Sequence, residues 1–208
     1  WPCECQELME TSLLPGLLMF AFVSSITPGP NNLMLMTSGV NFGLRATIPH
    51  ILGVVVGHAL MTIALGMGIS SVLDSIPQIY IALKTLGVAY VIFLAWKIST
   101  TTVGEKTKDE IGGSPFSFFQ AVAFQWINPK AWTLTLTALT VYSVVSSVES
   151  ILLVTLAFAS VNLPCVTVWT LMGIKLRSLL ERSPHLKFFN FMMASLLLIS
   201  VLPVIIEG

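Results

Sequence analysis

Apolar residues run along this chain in six long blocks, at 13–38, 48–70, 79–96, 116–142, 151–174 and 188–206. Each is about the length a helix needs to cross a bilayer, roughly 20 residues. The first and fourth exceed one straight span, as expected of tilted or interrupted helices. Short polar connections separate the blocks except at 99–114. There Gly104, Glu105, Lys106, Lys108, Asp109, Glu110, Gly112 and Gly113 predict a flexible solvated loop. The pattern predicts an all-α membrane protein, one integral domain over 1–208, with six transmembrane helices.

Two blocks contain residues that a membrane helix should not hold. In the first, Thr27-Pro28-Gly29-Pro30 removes backbone donors and loosens the helix, and Asn31 and Asn32 add amides at the same depth. In the fourth, Asn128-Pro129 interrupts the helix beside Gln125 and Lys130. In lipid, freed carbonyls must find partners, so such breaks are tolerated where they are buried in protein or line a wet cavity. Helices 1 and 4 are therefore expected to be broken. Paired broken helices are a device by which secondary transporters build a substrate site.

The two halves also match weakly. Pro28 pairs with Pro129, Met67-Gly68-Ile69 with Met172-Gly173-Ile174, and Leu83-Lys84 with Leu186-Lys187, in order and at nearly constant spacing. This predicts duplication of a three-helix unit, with repeat 1 near 13–97 and repeat 2 near 116–206. Three is odd, so the second unit would insert upside down, and the site would lie between the repeats near the midplane. Chance similarity between apolar helices is the alternative.

Composition agrees with a membrane protein: 55% of the 208 residues are hydrophobic and 10% charged, with a mean hydropathy of +0.88. A soluble domain carries about 25% charged residues. The formal net charge of zero gives no sign of nucleic-acid binding. Arg45, Lys97, Lys106, Lys108, Lys175, Arg177, Arg182 and Lys187 fall in the odd-numbered loops. Glu4, Glu7, Glu10, Asp74, Glu149 and Glu207, with Lys84, fall at the other end. The positive-inside rule then places the odd loops in the cytoplasm and both termini outside. Met9 reads as a natural start, so residues 1–8, with Cys3-Glu4-Cys5, carry little weight. The block after it lacks a basic flank and a cleavage site and reads as a retained helix. Three cysteines are too few for a disulfide framework or a closed zinc site.

Lys130 brings a charge to membrane depth, where an ammonium is costly unless paired or wetted. Every Asp and Glu lies in a loop or near a terminus. Its partner is then a substrate carboxylate, the cytoplasmic headgroups, or the carbonyls freed by the first break. Of the residues in the membrane interior, His58 titrates near neutrality, at about 6.5 when unperturbed. It is the candidate for proton coupling, with Lys130 as rival and an interhelical hydrogen bond as the plain reading. Gly53 and Gly57 beside it form a small-residue face for a neighbouring helix. His50 reads as packing near the interface. Asn162, just before Pro164, either faces the site or bonds a neighbour.

Thr27-Pro28-Gly29-Pro30-Asn31-Asn32 resembles the signature of the lysine/homoserine-type amino-acid exporters, the LysE/RhtB superfamily. Gly87-Val88-Ala89-Tyr90 through Leu94-Ala95-Trp96-Lys97 resembles the end of that family's third helix, and Asn128-Pro129-Lys130 its fourth-helix motif. The resemblance covers about 13–206. It implies export of small amino acids or derivatives, homoserine-, threonine- or cysteine-like, driven by protons across a bacterial inner membrane; nothing in the sequence suggests a cofactor. Members often carry Asp after Pro-Gly-Pro; Asn31 stands there, so no carboxylate at that point serves coupling. The Asn-Asn variant is similar to the branch that exports cysteine and O-acetylserine.

The expected substrate-binding set is Asn31, Asn32, Gln125, Asn128, Lys130 and Asn162, framed by Pro28, Gly29, Pro30 and Pro129. The expected partners are the amino acid, protons and lipid, with a second copy of the chain as a candidate homodimer. A metal-ion exporter is the alternative with the thinnest ligand set, Cys165 and His58. An intramembrane enzyme would need a motif such as His-Glu-x-x-His or Gly-x-Ser-x-Gly, and the sequence has neither. A non-transporting membrane subunit would not need polar breaks in two helices.

Overall fold

The structure is a computed structural model that describes residues 2–69, 77–100, 114–143, 147–180, 183–200 and 202. The described residues form seven α-helices and no strand: α1 (Pro2–Ile26), α2 (Pro30–Ala64), α3 (Pro77–Ser99), α4 (Phe118–Ile127), α5 (Pro129–Tyr142), α6 (Val148–Arg177) and α7 (Ser183–Ile199). A π-helical turn, Leu65–Ile69, prolongs α2. The side chains of Cys3, Glu4, Glu7, Glu10, Cys5 and Lys84, residues 101–113 of the expected solvated loop, and Asp74, Arg182 and Glu207 lie outside what is described.

Both expected breaks are present. The first block is divided between α1 and the start of α2, with Thr27, Pro28 and Gly29 non-helical between them. The fourth is divided into α4 and α5 by the single residue Asn128, whose φ of −86° and ψ of 106° are extended. Proline opens both second halves, Pro30 for α2 and Pro129 for α5, where its missing N–H has no helical partner to lose. By length and composition, Pro30–Gly68 and Val148–Arg177 are long and apolar enough to cross a membrane. Leu13–Ile26, Thr85–Ser99, Phe118–Ile127 and Pro184–Ile199 are shorter apolar helices.

The first connection is tighter than the polarity pattern suggests. The loop expected over 39–47 is a turn at Gly43, whose φ of 78° is the left-handed conformation that glycine adopts without strain. Ser38 and Thr47 hydroxyls meet at 2.8 Å across it, and Thr47 Oγ1 also donates to the Gly43 carbonyl at 2.8 Å. Residues nine apart on a straight helix lie roughly 13 Å apart, so this contact requires the chain to double back. The stretches 30–42 and 44–64 are thus separate helical limbs.

α6 packs against both limbs of α2 and against α1, and forms the centre of the bundle. α1 lays Leu17 and Ala21 against Ala138 of α5 and Val154, Ala157 and Phe158 of α6. α3 and α7 pair at one side through Val91, Leu94, Ala95, Met193, Ala194 and Leu197. The small-residue face of α2 admits α4 as expected. A Cβ on Gly57 would sit 2.7 Å from Val122 Cα, and one on Gly53 would sit 2.6 Å from Ala121 Cβ. The outward positions are large and apolar, among them Met19, Phe22, Ile92, Leu156, Phe188 and Phe191. Such a surface suits a hydrocarbon solvent.

One pair of matched segments differs in local structure. Gly68 closes the π-helical turn with a φ of 103°. Gly173 lies inside α6, where a side chain would collide with the Met36 carbonyl. The same tripeptide serves a helix end in one half and a helix crossing in the other.

Candidate functional site

The two breaks face each other. The Lys130 ammonium donates to the Thr27 carbonyl at 2.9 Å, to Thr27 Oγ1 at 2.9 Å and to the Pro28 carbonyl at 3.2 Å. Of the partners left open by the sequence, the carbonyls of the first break are the ones Lys130 meets. Gly29 makes the approach fit: a Cβ there would lie 2.7 Å from Lys130 Cδ.

All the carbonyls around the first break are accounted for. The Ser24 carbonyl accepts from Thr27 Oγ1 at 2.9 Å. Asn32 Nδ2 donates to Ser25 at 2.7 Å and to Thr27 at 2.8 Å. Trp169 Nε1 of α6 donates to Ile26 at 3.1 Å. The Gly29 carbonyl accepts from the Leu33 amide at 3.0 Å. Buried carbonyls without partners would each cost about 1–3 kcal/mol, so this network is what permits three non-helical residues inside an apolar bundle.

The second break is closed by its own neighbours. Asn128 Oδ1 accepts from the Lys130 amide at 3.2 Å, capping α5. The Asn128 amide donates to Gln125 at 3.3 Å, and Trp132 Nε1 to Trp126 at 2.8 Å. A reciprocal amide pair then ties the breaks together. Asn31 Nδ2 donates to Gln125 Oε1 at 2.8 Å, and Gln125 Nε2 to Asn31 Oδ1 at 3.3 Å.

Between the breaks lies a cavity of about 40 Å³. Gly29, Asn31, Asn32, His58, Asn128, Lys130 and Asn162 line it, as does the apolar ring of Phe158. Gln125 is fully buried behind Asn31, and Pro28, Pro30 and Pro129 shape the breaks without lining the cavity. Among the described lining residues, Lys130 is the Lys, Arg, Asp or Glu present. His58 Nε2 and Thr135 Oγ1 meet at 3.2 Å, and the His58 ring lies 5.2 Å from that of Phe158. Cys165 is buried in α6 away from the lining, and His50 belongs to a second cavity.

Sequence reasoning missed Ser24, Ser25, Phe158 and Trp169. Ser24 and Ser25 stand immediately before the break, and Phe158 is one turn before Asn162 on the same face of α6. Trp169 gave no signal, because a tryptophan in an apolar helix looks like packing. The arrangement offers a cation, several amides and a cluster of carbonyls around one space. It suits holding a small zwitterion.

Comparison with known proteins agrees. Residues 22–208 match the family described as LysE type translocator. The chain is similar to the cysteine/O-acetylserine efflux proteins of Escherichia coli (strain K12) and Shigella sonnei (strain Ss046). Each is 33% identical over 135 residues, which are 64% of this chain and 67% of the relative. No solved structure matches. A translocator moves its solute without changing it covalently, which sets the enzyme reading aside.

Proposed function

We propose that this chain, which belongs to the LysE type translocator family, is a secondary transporter that exports a small neutral amino acid of the cysteine or O-acetylserine kind. The observation that carries the proposal is the meeting of the two breaks across one cavity, with the Lys130 ammonium on the Thr27 and Pro28 carbonyls. A substrate carboxylate can take Lys130 as its partner. The carbonyls that Lys130 then leaves can accept from the substrate ammonium. Asn31, Asn32, Asn128 and Asn162 supply neutral donors and acceptors around them, and Gln125 holds Asn31 in place.

The membrane arrangement goes with this reading: six spans as two inverted three-helix units, in the bacterial inner membrane, with both termini outside. Supporting it, a Cβ built on Gly43 would lie 3.9 Å from an Arg177 guanidinium nitrogen, and Asn41, Lys97 and Ser114 line one cavity. That gathers the basic odd-numbered connections at one end of the bundle. Proton coupling is assigned to His58, the titratable ring at the cavity wall.

The test is uptake of labelled cysteine or O-acetylserine into inverted vesicles carrying the protein, with and without an uncoupler. Accumulation that collapses with the uncoupler is expected. No accumulation of either compound would sink the proposal, and accumulation indifferent to the uncoupler would remove the proton from it.

A further inference from the structure

A second cavity, of about 60 Å³, lies where α2 turns at Gly43, between α2, the end of α3 and the segment leading into α4. Thr37, Asn41, His50, Lys97 and Ser114 give it polar walls. His50 is 1% exposed, and neither of its ring nitrogens has a hydrogen-bond partner among the described residues. Its ring is held 5.1 Å from that of Phe116. The Asn41 carbonyl oxygen is likewise buried and unpartnered among the described residues. Its orientation is fixed, because Asn41 Nδ2 donates to the Thr37 carbonyl at 2.9 Å and to Asn190 Oδ1 at 3.4 Å. Burying polar atoms without partners is unfavourable, so their presence together in one cavity points to a ligand.

The chemistry of the walls selects that ligand. A neutral imidazole offers one acceptor nitrogen, and the Asn41 oxygen offers another. Together they suit an ammonium, which has donors only. Lys97 adds a cation to the same walls, suited to a carboxylate. The space holds roughly four to six water-sized groups, against roughly three to four in the first cavity.

The two cavities share a helix face. Asn31 lines the first, and Met34, Thr37, Ser38 and Asn41 line the second, at the three- and four-residue spacing that aligns side chains on one side of α2. Asn31 and Asn41 are roughly 15 Å apart along the helix. Met34, a flexible side chain buried to 5% exposure, stands between them.

We propose that this second cavity is a loading site on the cytoplasmic side, where His50 and Asn41 receive the ammonium and Lys97 the carboxylate of the amino acid before it moves along α2 past Met34 to the breaks. This rests on the amino-acid export reading above. The site sets affinity on one face of the membrane and takes no part at the breaks.

The experiment measures initial uptake of labelled cysteine by inverted vesicles, whose outer surface is the cytoplasmic face, with the amount of protein in the membrane measured for each variant. His50→Phe keeps the ring beside Phe116 and removes both nitrogens; Asn41→Leu removes the amide on a separate limb. Each is expected to raise KM roughly tenfold, the loss of one hydrogen bond to a charged group, while the maximal rate stays within about twofold. His50→Gln, which restores an acceptor, is expected to keep the wild-type KM. Either variant alone tests the site. An unchanged KM, or a fall in maximal rate with KM unchanged, overturns the loading site and leaves export standing. Failure of the wild type to take up cysteine overturns both.

Discussion

The two helix breaks solve one problem in opposite ways. The break at Thr27–Gly29 leaves three residues non-helical, and its own block, through Thr27, Asn32 and Leu33, satisfies only part of its carbonyls; Lys130 on α5 and Trp169 on α6 satisfy the rest. The break at Asn128 is one residue long and is closed by Gln125, Asn128 and Trp132 within the same block. The first therefore depends in part on the folded bundle, and the second is written into local sequence. The first presents acceptors to the cavity, while the second delivers the cation that occupies them.

The largest effect should come from the residue that joins the two. Lys130→Ala is expected to abolish efflux of labelled substrate while the protein remains in the membrane. Lys130→Met keeps the length of the side chain without its charge, and wild-type efflux by that variant would show that the charge is dispensable. The next effect is on stability. Asn32→Leu leaves the Ser25 carbonyl without its side-chain partner and should cost about 1–3 kcal/mol, read as a lower Tm in detergent. Asn128→Ala removes a helix cap at the self-contained break and should cost about 1 kcal/mol, with Asn128→Ser recovering most of it. An Asn128→Ala loss larger than that of Asn32→Leu would reverse the comparison. The smallest effect on solute movement is expected of His58→Gln, which keeps a hydrogen-bonding group towards Thr135. Exchange of labelled for unlabelled substrate should persist, and only the dependence on a proton gradient should weaken. Equal loss of both would make His58 structural; loss of neither would pass the coupling role to Lys130.

How far the sequence could be read follows from the same contrast. Pro28, Pro30 and Pro129 announce themselves, since proline's missing donor acts wherever it stands in a membrane helix. Lys130 and the asparagines are legible because polar groups at that depth need partners. Beyond the first-break carbonyls that stood as one of three alternatives for Lys130, the partners themselves were not legible. Asn31 and Asn32 are neighbours, yet Asn31 turns to Gln125 and Asn32 to the end of α1. Nothing local decides between them, because adjacent helical positions point about 100° apart and only the packed bundle fixes which is which. Trp169 bonds a carbonyl far away in sequence for the same reason. The turn at Gly43 was hidden by composition: polar residues from Asn41 to Thr47 suggest a loop, whereas a single positive φ reverses the chain and leaves both limbs helical.

The position of the Lys130 ammonium has an electrical consequence. It is held by backbone oxygens of one half of the chain while its own backbone belongs to the other. If the halves shift during transport, a formal charge shifts with them, whether or not a neutral zwitterion is aboard. A unit charge crossing the whole membrane field is worth about 2.3 kcal/mol per 100 mV, and a partial displacement gains a proportional fraction. The resting voltage of the cell would then act as a spring on the empty carrier, biasing which side it faces before any solute arrives.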